Sequence, residues 1–259
     1  MKNDILSIIF LLSATLCAHA QNESSSPQKL PLVIQNLIED MVYVEGGTFT
    51  MGDNSIKYNN AFKTTDPEHQ VTLSPFFICR YEVTQEVWDA VMGNNRSRVQ
   101  NAKLPVSNVC WDESMTFILK LVVMTGINFR LPTEAEWEFA ARGGNKSRQT
   151  IYSGSNNIDS VAWYQYNSSE KPHPVGQKSP NELGLYDMNG NVWEWCFDYY
   201  AAYDSAAQTD PKGALNSSTM VARGGDCFMI PEDCRVSSRY GRNPVFCSPS
   251  SGFRLAATP

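Results

Sequence analysis

The sequence predicts an irregular, loop-rich α+β domain, and three features point there. Helical spacing of apolar residues appears only a few times, after Thr84, Asp112 and Thr133. The β-like apolar runs are short. Gly, Pro, Asn and Ser punctuate the chain throughout, most densely after Gly144, so connections occupy as much sequence as regular elements. No internal repeat, low-complexity tract or linker divides it.

Taken in order, Met1-Lys2, the apolar run Ile5–Leu16 and Ala18-His19-Ala20 read as an export signal cleaved after Ala20. Cys17 follows Leu16 rather than a small residue, which argues against lipidation. The polar residues 21–29 read as a leader. Leu30–Ile38 reads as a short strand or helix packing outside the main motif region, so the principal domain is placed at 41–259. Met41–Met51, with Gly46-Gly47 at its centre, predicts a hairpin. Asp53–Gln70 is polar and aperiodic, a loop. Val71–Arg80 predicts one strand. Thr84 is the expected N-cap of a helix through Met92, stopped by Gly93-Asn94. Leu104–Val109 is extended, and Asp112 is the expected cap of the next helix, which carries Met115, Phe117, Ile118, Leu121 and Val122 inward. Arg130-Leu131-Pro132 is extended. Thr133 with Glu136 three residues on is a capping-box signature, and Trp137, Phe139 and Ala140 follow. Gly143-Gly144 ends that helix. Beyond it only short β-like runs are expected, with Asp198–Ser218 a polar insertion.

Charge and composition exclude several function classes. A formal net charge of −6 and a pI near 5.1 argue against nucleic acid or an anionic membrane as partner. No stretch after the signal approaches transmembrane length. Of three histidines only His69 and His173 outlast the signal, too few for an imidazole-rich metal centre and without a nucleophile motif nearby. Glu134, Glu136 and Glu138 read better as acidic residues in a helix's first turns than as an acid/base pair. Trp88, Trp111, Trp137, Trp193 and Trp195 read as core. Six cysteines outlast the signal, Cys79, Cys110, Cys196, Cys227, Cys234 and Cys247. None forms a CxxC pair, and their disulfide connectivity stays open.

Leu183–Asp198 is the stretch with chemical character. Oxygen donors (Asp187, Asn189, Asn191, Glu194) alternate with apolar anchors around the Asn189-Gly190 turn. Two carboxylates and turn carbonyls suit calcium, which takes roughly six to eight oxygens. The competing reading is a tight turn whose polar groups satisfy one another between core tryptophans.

Gly184-Leu-Tyr-Asp-Met-Asn-Gly-Asn-Val-Trp-Glu-Trp195 resembles the signature of the formylglycine-generating enzyme family, the sulfatase-modifying factors. Arg80–Trp88, Phe129–Arg142, and Arg223-Gly-Gly225 with Gly252-Phe-Arg-Leu-Ala256 are similar to further motifs of that family, in the same order. The resemblance implies a C-type-lectin-like fold. It implies a structural calcium site at the Asp187 and Glu194 side chains and the Gly190 and Val192 carbonyls. It also implies an oxidase that converts a sulfatase cysteine to formylglycine with copper(I) held by two cysteines five apart. Cys234 matches the first of these and is the one candidate catalytic residue. Arg239 stands at the second position, and a guanidinium has no lone pair to offer a metal. Cys196, Cys227 and Cys247 remain as candidate partners for Cys234. The expectation is therefore an exported, calcium-stabilised binding or scaffold module with a protein or glycan ligand at the cell envelope. The alternative is an active oxidase with a sulfatase peptide as substrate.

Overall fold

The computed structural model describes residues 30–54 and 67–259, so the expected export signal lies outside the described residues. The organising element is a helix buried on every side. Glu134–Ala141 (α4) packs against strands of two different sheets, and all eight of its residues are buried. Its start is the predicted capping box. The Glu136 amide donates to Thr133 Oγ1 at 3.2 Å, and the Thr133 amide donates to Glu136 Oε2 at 2.8 Å. It ends at Gly143, whose φ of 91° suits glycine.

The helices before it are Leu32–Glu39 (α1), Gln85–Met92 (α2) and Trp111–Thr125 (α3), and a single turn, Ile158–Val161 (α5), follows. The strands are Met41–Val44 (β1), Gly47–Met51 (β2), His69–Leu73 (β3), Phe76–Cys79 (β4), Phe129–Arg130 (β5), Trp193–Tyr199 (β6), Gln208–Thr209 (β7), Met220–Arg223 (β8), Arg239–Arg242 (β9), Ser251–Gly252 (β10) and Ala256–Ala257 (β11). The described strands form three sheets, ordered β1-β4-β11-β5, β2-β3-β7 and β10-β6-β8-β9. The fold is an irregular α+β arrangement, as expected.

The local expectations fare unevenly. The Met41–Met51 hairpin does not form. β1 pairs antiparallel with β4, and β2 with β3, so Gly46-Gly47 carries the chain from one sheet to the next. A side chain at Gly46 would collide with the Leu73 carbonyl, which explains the glycine without a hairpin. The expected strand Val71–Arg80 is likewise cut at Ser74-Pro75 into β3 and β4, in different sheets; Pro75 has no N–H to continue a ladder. The 30–38 segment is helical and packs inside the core. Ile34 and Leu37 join Trp88, Phe117 and Phe253, because an apolar face of that size cannot stay in water.

Thr84 holds the N-cap position of α2, but its hydroxyl is buried and makes no capping bond. The cap of α3 is Cys110, not Asp112, with Glu113 reaching back to the Cys110 amide at 3.3 Å. The stretch expected to begin a polar insertion at Asp198 still belongs to β6. Asp198 is buried, and the following loop contributes β7 beside β3. Trp88, Trp137, Trp193 and Trp195 are core as expected, while Trp111 is only partly buried against it; Trp88, Phe117 and Phe253 are in mutual contact at 5.3–6.3 Å between ring centroids.

Removing the Thr133 hydroxyl leaves the Glu136 amide without its cap. Thr133→Ala is expected to cost about 1 kcal/mol, read as a lowered urea midpoint at unchanged slope. An unchanged midpoint would contradict the capping role.

Candidate functional site

The Leu185–Glu194 stretch enters β6 through a turn of left-handed backbone. Asp187, Gly190 and Asn191 have φ of 55°, 73° and 59°. Gly190 is required there, since a side chain would strike the Trp163 carbonyl. The two asparagines, candidate donors in the sequence, are spent on scaffolding. Asn189 accepts from the Ser153 amide at 2.7 Å and donates to the Cys234 carbonyl at 2.5 Å. Asn191 accepts from the His173 amide at 2.9 Å and donates to Glu82 Oε2 at 2.6 Å.

The two acidic residues face a common set of buried charges. Glu194 accepts two bonds from Arg254, both at 2.6 Å, and one from Trp137 Nε1 at 2.7 Å. Asp187 Oδ2 accepts from the Gly176 amide at 2.7 Å, while its Oδ1 is buried without a hydrogen-bond partner. Burial pushes Asp187 up to about 6, against the Gly176 bond and the Arg254 charge, which pull it down. Glu82 accepts from Asn191 and, at 3.1 Å, from the Val192 amide. Burial first, then Asp187 and Glu194, push Glu82 well above the usual carboxylate range. Three buried carboxylates thus share one guanidinium, that of Arg254. Arg254 and, at Asp187, Lys178 pull these carboxylates down, and the unpartnered Asp187 Oδ1 is the oxygen that could take a hard cation. Glu194 fits less simply, because Arg254 already engages both of its oxygens. Glu82 and Arg254 were not singled out in the sequence, although both lie within the resemblance motifs, at Tyr81-Glu82 and Phe253-Arg254.

Cys234 ends a short 3-10 turn, Pro231–Cys234. It is fully buried among Tyr152, Ile158, Val161, Ala162 and Tyr164. Burial, then Asp226 and Asp233, push its thiol far above the ordinary range. That is the reverse of the environment that makes a reactive thiolate. Of its candidate partners, Cys227 lies close enough to act on it electrostatically. Cys247 instead packs with Cys110 and Glu113, and Cys196 is buried within β6, in the core beside α4.

Arg239 opens β9 and is buried. Its Nε and Nη2 grip Glu134 at 2.7 and 2.6 Å, and Nη1 donates to the Ala201 carbonyl at 2.7 Å. The Tyr200 and Tyr203 rings lie against the guanidinium at 4.5 and 4.0 Å. Arg223, directly opposite Arg239 in the β8–β9 ladder, pairs with Glu138 and lies 3.1 Å from Glu134. Arg142 binds Glu138 at 2.7 Å, and Arg130 binds Glu136 at 2.6 Å. Glu134 and Glu136 stand in the first turn of α4 as expected, and with Glu138 they form the acidic side of a buried ion-pair network. His173 stacks on Trp163 at 3.8 Å and His69 lies against Tyr203 at 4.8 Å; the contacts of both are structural.

Asp198 sits at the edge of this network and accepts from the Glu134 amide at 2.8 Å. Burial first, then the Glu134 carboxylate, push it up to about 8. An acid raised in the folded state favours folding while protonated, and that contribution is lost as pH rises through the folded value. Asp198→Asn keeps an acceptor oxygen and removes the titration. Its melting temperature relative to wild type is expected to rise from about pH 5 to about pH 8 and to level off above that. A constant difference across that range would contradict the shift.

Comparison with known proteins adds context. Residues 28–259 match the family described as "Sulfatase-modifying factor enzyme 1-like domain". A chaperone protein LppX from Paenibacillus barcinonensis is 37% identical over 66% of this chain and 75% of its own length. A formylglycine-generating enzyme from Thermomonospora curvata is 27% identical over 90% of this chain and 97% of its own. The serine/threonine-protein kinase Pkn1 of Chlamydia trachomatis is 31% identical over 86% of this chain, which spans 39% of that longer protein. Among solved structures, Treponema denticola variable protein 1 superposes with a TM-score of 0.77 at 32% identity, over 85% of this chain and 95% of that one. PvdO from Pseudomonas aeruginosa gives 0.68 at 27%, over 85% and 94%.

Proposed function

This chain belongs to the sulfatase-modifying factor enzyme 1-like family, and we propose that within it the chain is an exported binding or scaffold module rather than an oxidase. The observation that carries this reading is Arg239. The position that resemblance gives to the second copper-binding thiol holds a buried guanidinium, fixed at both ends by Glu134 and the Ala201 carbonyl. Two thiolates are the soft donor set that copper(I) prefers, and one of them is replaced by a cation. The remaining thiol, Cys234, is buried, and that burial holds it far above its ordinary range. That a relative 37% identical is described as a chaperone protein is in keeping with a binding role. The ligand belongs to the protein or glycan chemistry of the cell envelope.

The test is copper(I) titration of the reduced protein, followed by incubation with a cysteine-containing sulfatase peptide and oxygen. No one-to-one copper uptake dependent on Cys234 and no aldehyde in the peptide are expected. Tight stoichiometric uptake with peptide oxidation would establish the oxidase instead.

Calcium is the second part of the proposal. Asp187 Oδ1 and the Gly190 and Val192 carbonyls would hold it, with Glu194 dividing its oxygens between the cation and Arg254. The bound charge would relieve the repulsion among Glu82, Asp187 and Glu194. Linkage then adds about 2.7 kcal/mol of stability at a hundredfold excess over Kd. A chelator is expected to lower the melting temperature by several degrees, and calcium but not magnesium to restore it. Asp187→Asn and Glu194→Gln should blunt that response. Identical melting in chelator and in excess calcium would remove calcium from the account.

A further inference from the structure

A pair of thiols remains outside the site. Cys110 caps the N-terminus of α3, and Cys247 lies in the loop between β9 and β10. Their sulfurs and a Glu113 carboxylate oxygen all lie within 4.8 Å of one another. The approach is held in register by backbone bonds on both sides. The Asn108 amide donates to the Ser248 carbonyl at 3.1 Å, that of Val109 to Ser251 at 3.2 Å, and that of Trp111 to Pro244 at 3.0 Å. Two segments far apart in the chain are thus laced together around the two sulfurs.

We propose that Cys110 and Cys247 form a reversible disulfide that staples the β9–β10 loop to the head of α3. A metal is the rival use of such a trio, but Glu113 is already committed. One of its oxygens pairs with Arg96, and the other accepts from the Cys110 amide at 3.3 Å. The Arg96 guanidinium occupies the place of the positive charge that a metal would bring. Burial and the neighbouring Cys110 hold the Cys247 thiol above its ordinary range, with Arg96 pulling the other way, so it is the closeness of the two sulfurs rather than an activated thiolate that favours the bond. The oxidant is a small or protein disulfide. The half-exposed Cys247 thiolate attacks one of its sulfurs, forming a mixed disulfide and releasing a first thiol. The Cys110 thiolate then attacks Cys247 Sγ and expels the second thiol. The protein loses two protons and two electrons, and the oxidant gains both. The staple fixes the loop that leads into β10 and on to Arg254, so oxidation should stiffen the route to the carboxylate cluster without touching it.

The experiment equilibrates the folded, reduced chain with oxidised glutathione, blocks remaining thiols and maps the peptides. A peptide joining Cys110 to Cys247, with a higher melting temperature than the reduced protein, is the expected result. Cys110→Ser keeps a good capping residue, so the variant should fold. It should carry glutathione on Cys247 and lose the oxidation-dependent shift in melting temperature. Full alkylation of Cys110 and Cys247 after oxidation, or linkage of Cys247 to another cysteine, would overturn the proposal. So would one-to-one zinc binding by the reduced protein that Cys110→Ser abolishes.

Discussion

Three glutamates on one buried helix are the constraint that the rest of the structure answers. Glu134, Glu136 and Glu138 lie on α4, which is covered by sheets on more than one side, so none of them can turn to water. A buried carboxylate without a partner is far more costly than the modest net worth of the pair that satisfies it. The partners come from distant parts of the chain: Arg130 just before the helix, Arg142 just after it, Arg223 on β8 and Arg239 on β9. Because β8 and β9 place Arg223 and Arg239 directly opposite each other, the glutamates fix how that sheet sits on α4. The pairs act more as a specification of geometry than as a source of stability. The geometry has a side effect at Asp198. Burial and the neighbouring Glu134 carboxylate raise Asp198, and Arg239, committed to Glu134, only partly offsets them.

This also explains why position 239 is not a thiol waiting to be restored. Replacing Arg239 by cysteine would leave Glu134 with Arg223 alone, which already serves Glu138. It would also vacate the space between the Tyr200 and Tyr203 rings. The arginine is integrated into the packing, held by the ion pair on one side and the two rings on the other. Cys234 is likewise packed in, against Gly225 and an aromatic and aliphatic cluster.

What the sequence revealed and what it hid divide along the range of the interactions. The Thr133-x-x-Glu136 cap, the glycine stops after α2 and α4 and the burial of Trp88, Trp137, Trp193 and Trp195 rest on neighbours a few residues apart, and all were legible. The pairing of β1 with β4 and of β2 with β3 is set by contacts across the chain, and Gly46-Gly47 looks locally like a hairpin turn either way. Cys110 was passed over as a helix cap because cysteine rarely serves as one, and its amide is satisfied by Glu113 instead. At the site, Asp187 and Glu194 were legible from their type and spacing. Glu82 and Arg254 were not, since nothing local shows that residues so far apart meet in one buried cluster.

The two buried charge systems are joined by a single side chain. Trp137, in the middle of α4, donates its indole N–H to Glu194, which in turn holds Arg254. Arg254 reaches on to the carbonyls of Cys79, Arg80 and Tyr186, so it ties β4 and the Asp187 turn to the end of the chain. The two systems differ in balance. On α4 the guanidiniums outnumber the glutamates, and Arg223 Nε, though 3.1 Å from Glu134, makes no hydrogen bond. Around Asp187 the carboxylates outnumber the guanidinium, one oxygen has no partner, and Glu82 and Asp187 are pushed toward protonation. The excess of buried positive charge thus lies at α4 and the excess of negative charge at the Asp187 turn, with Trp137 and Glu194 between them.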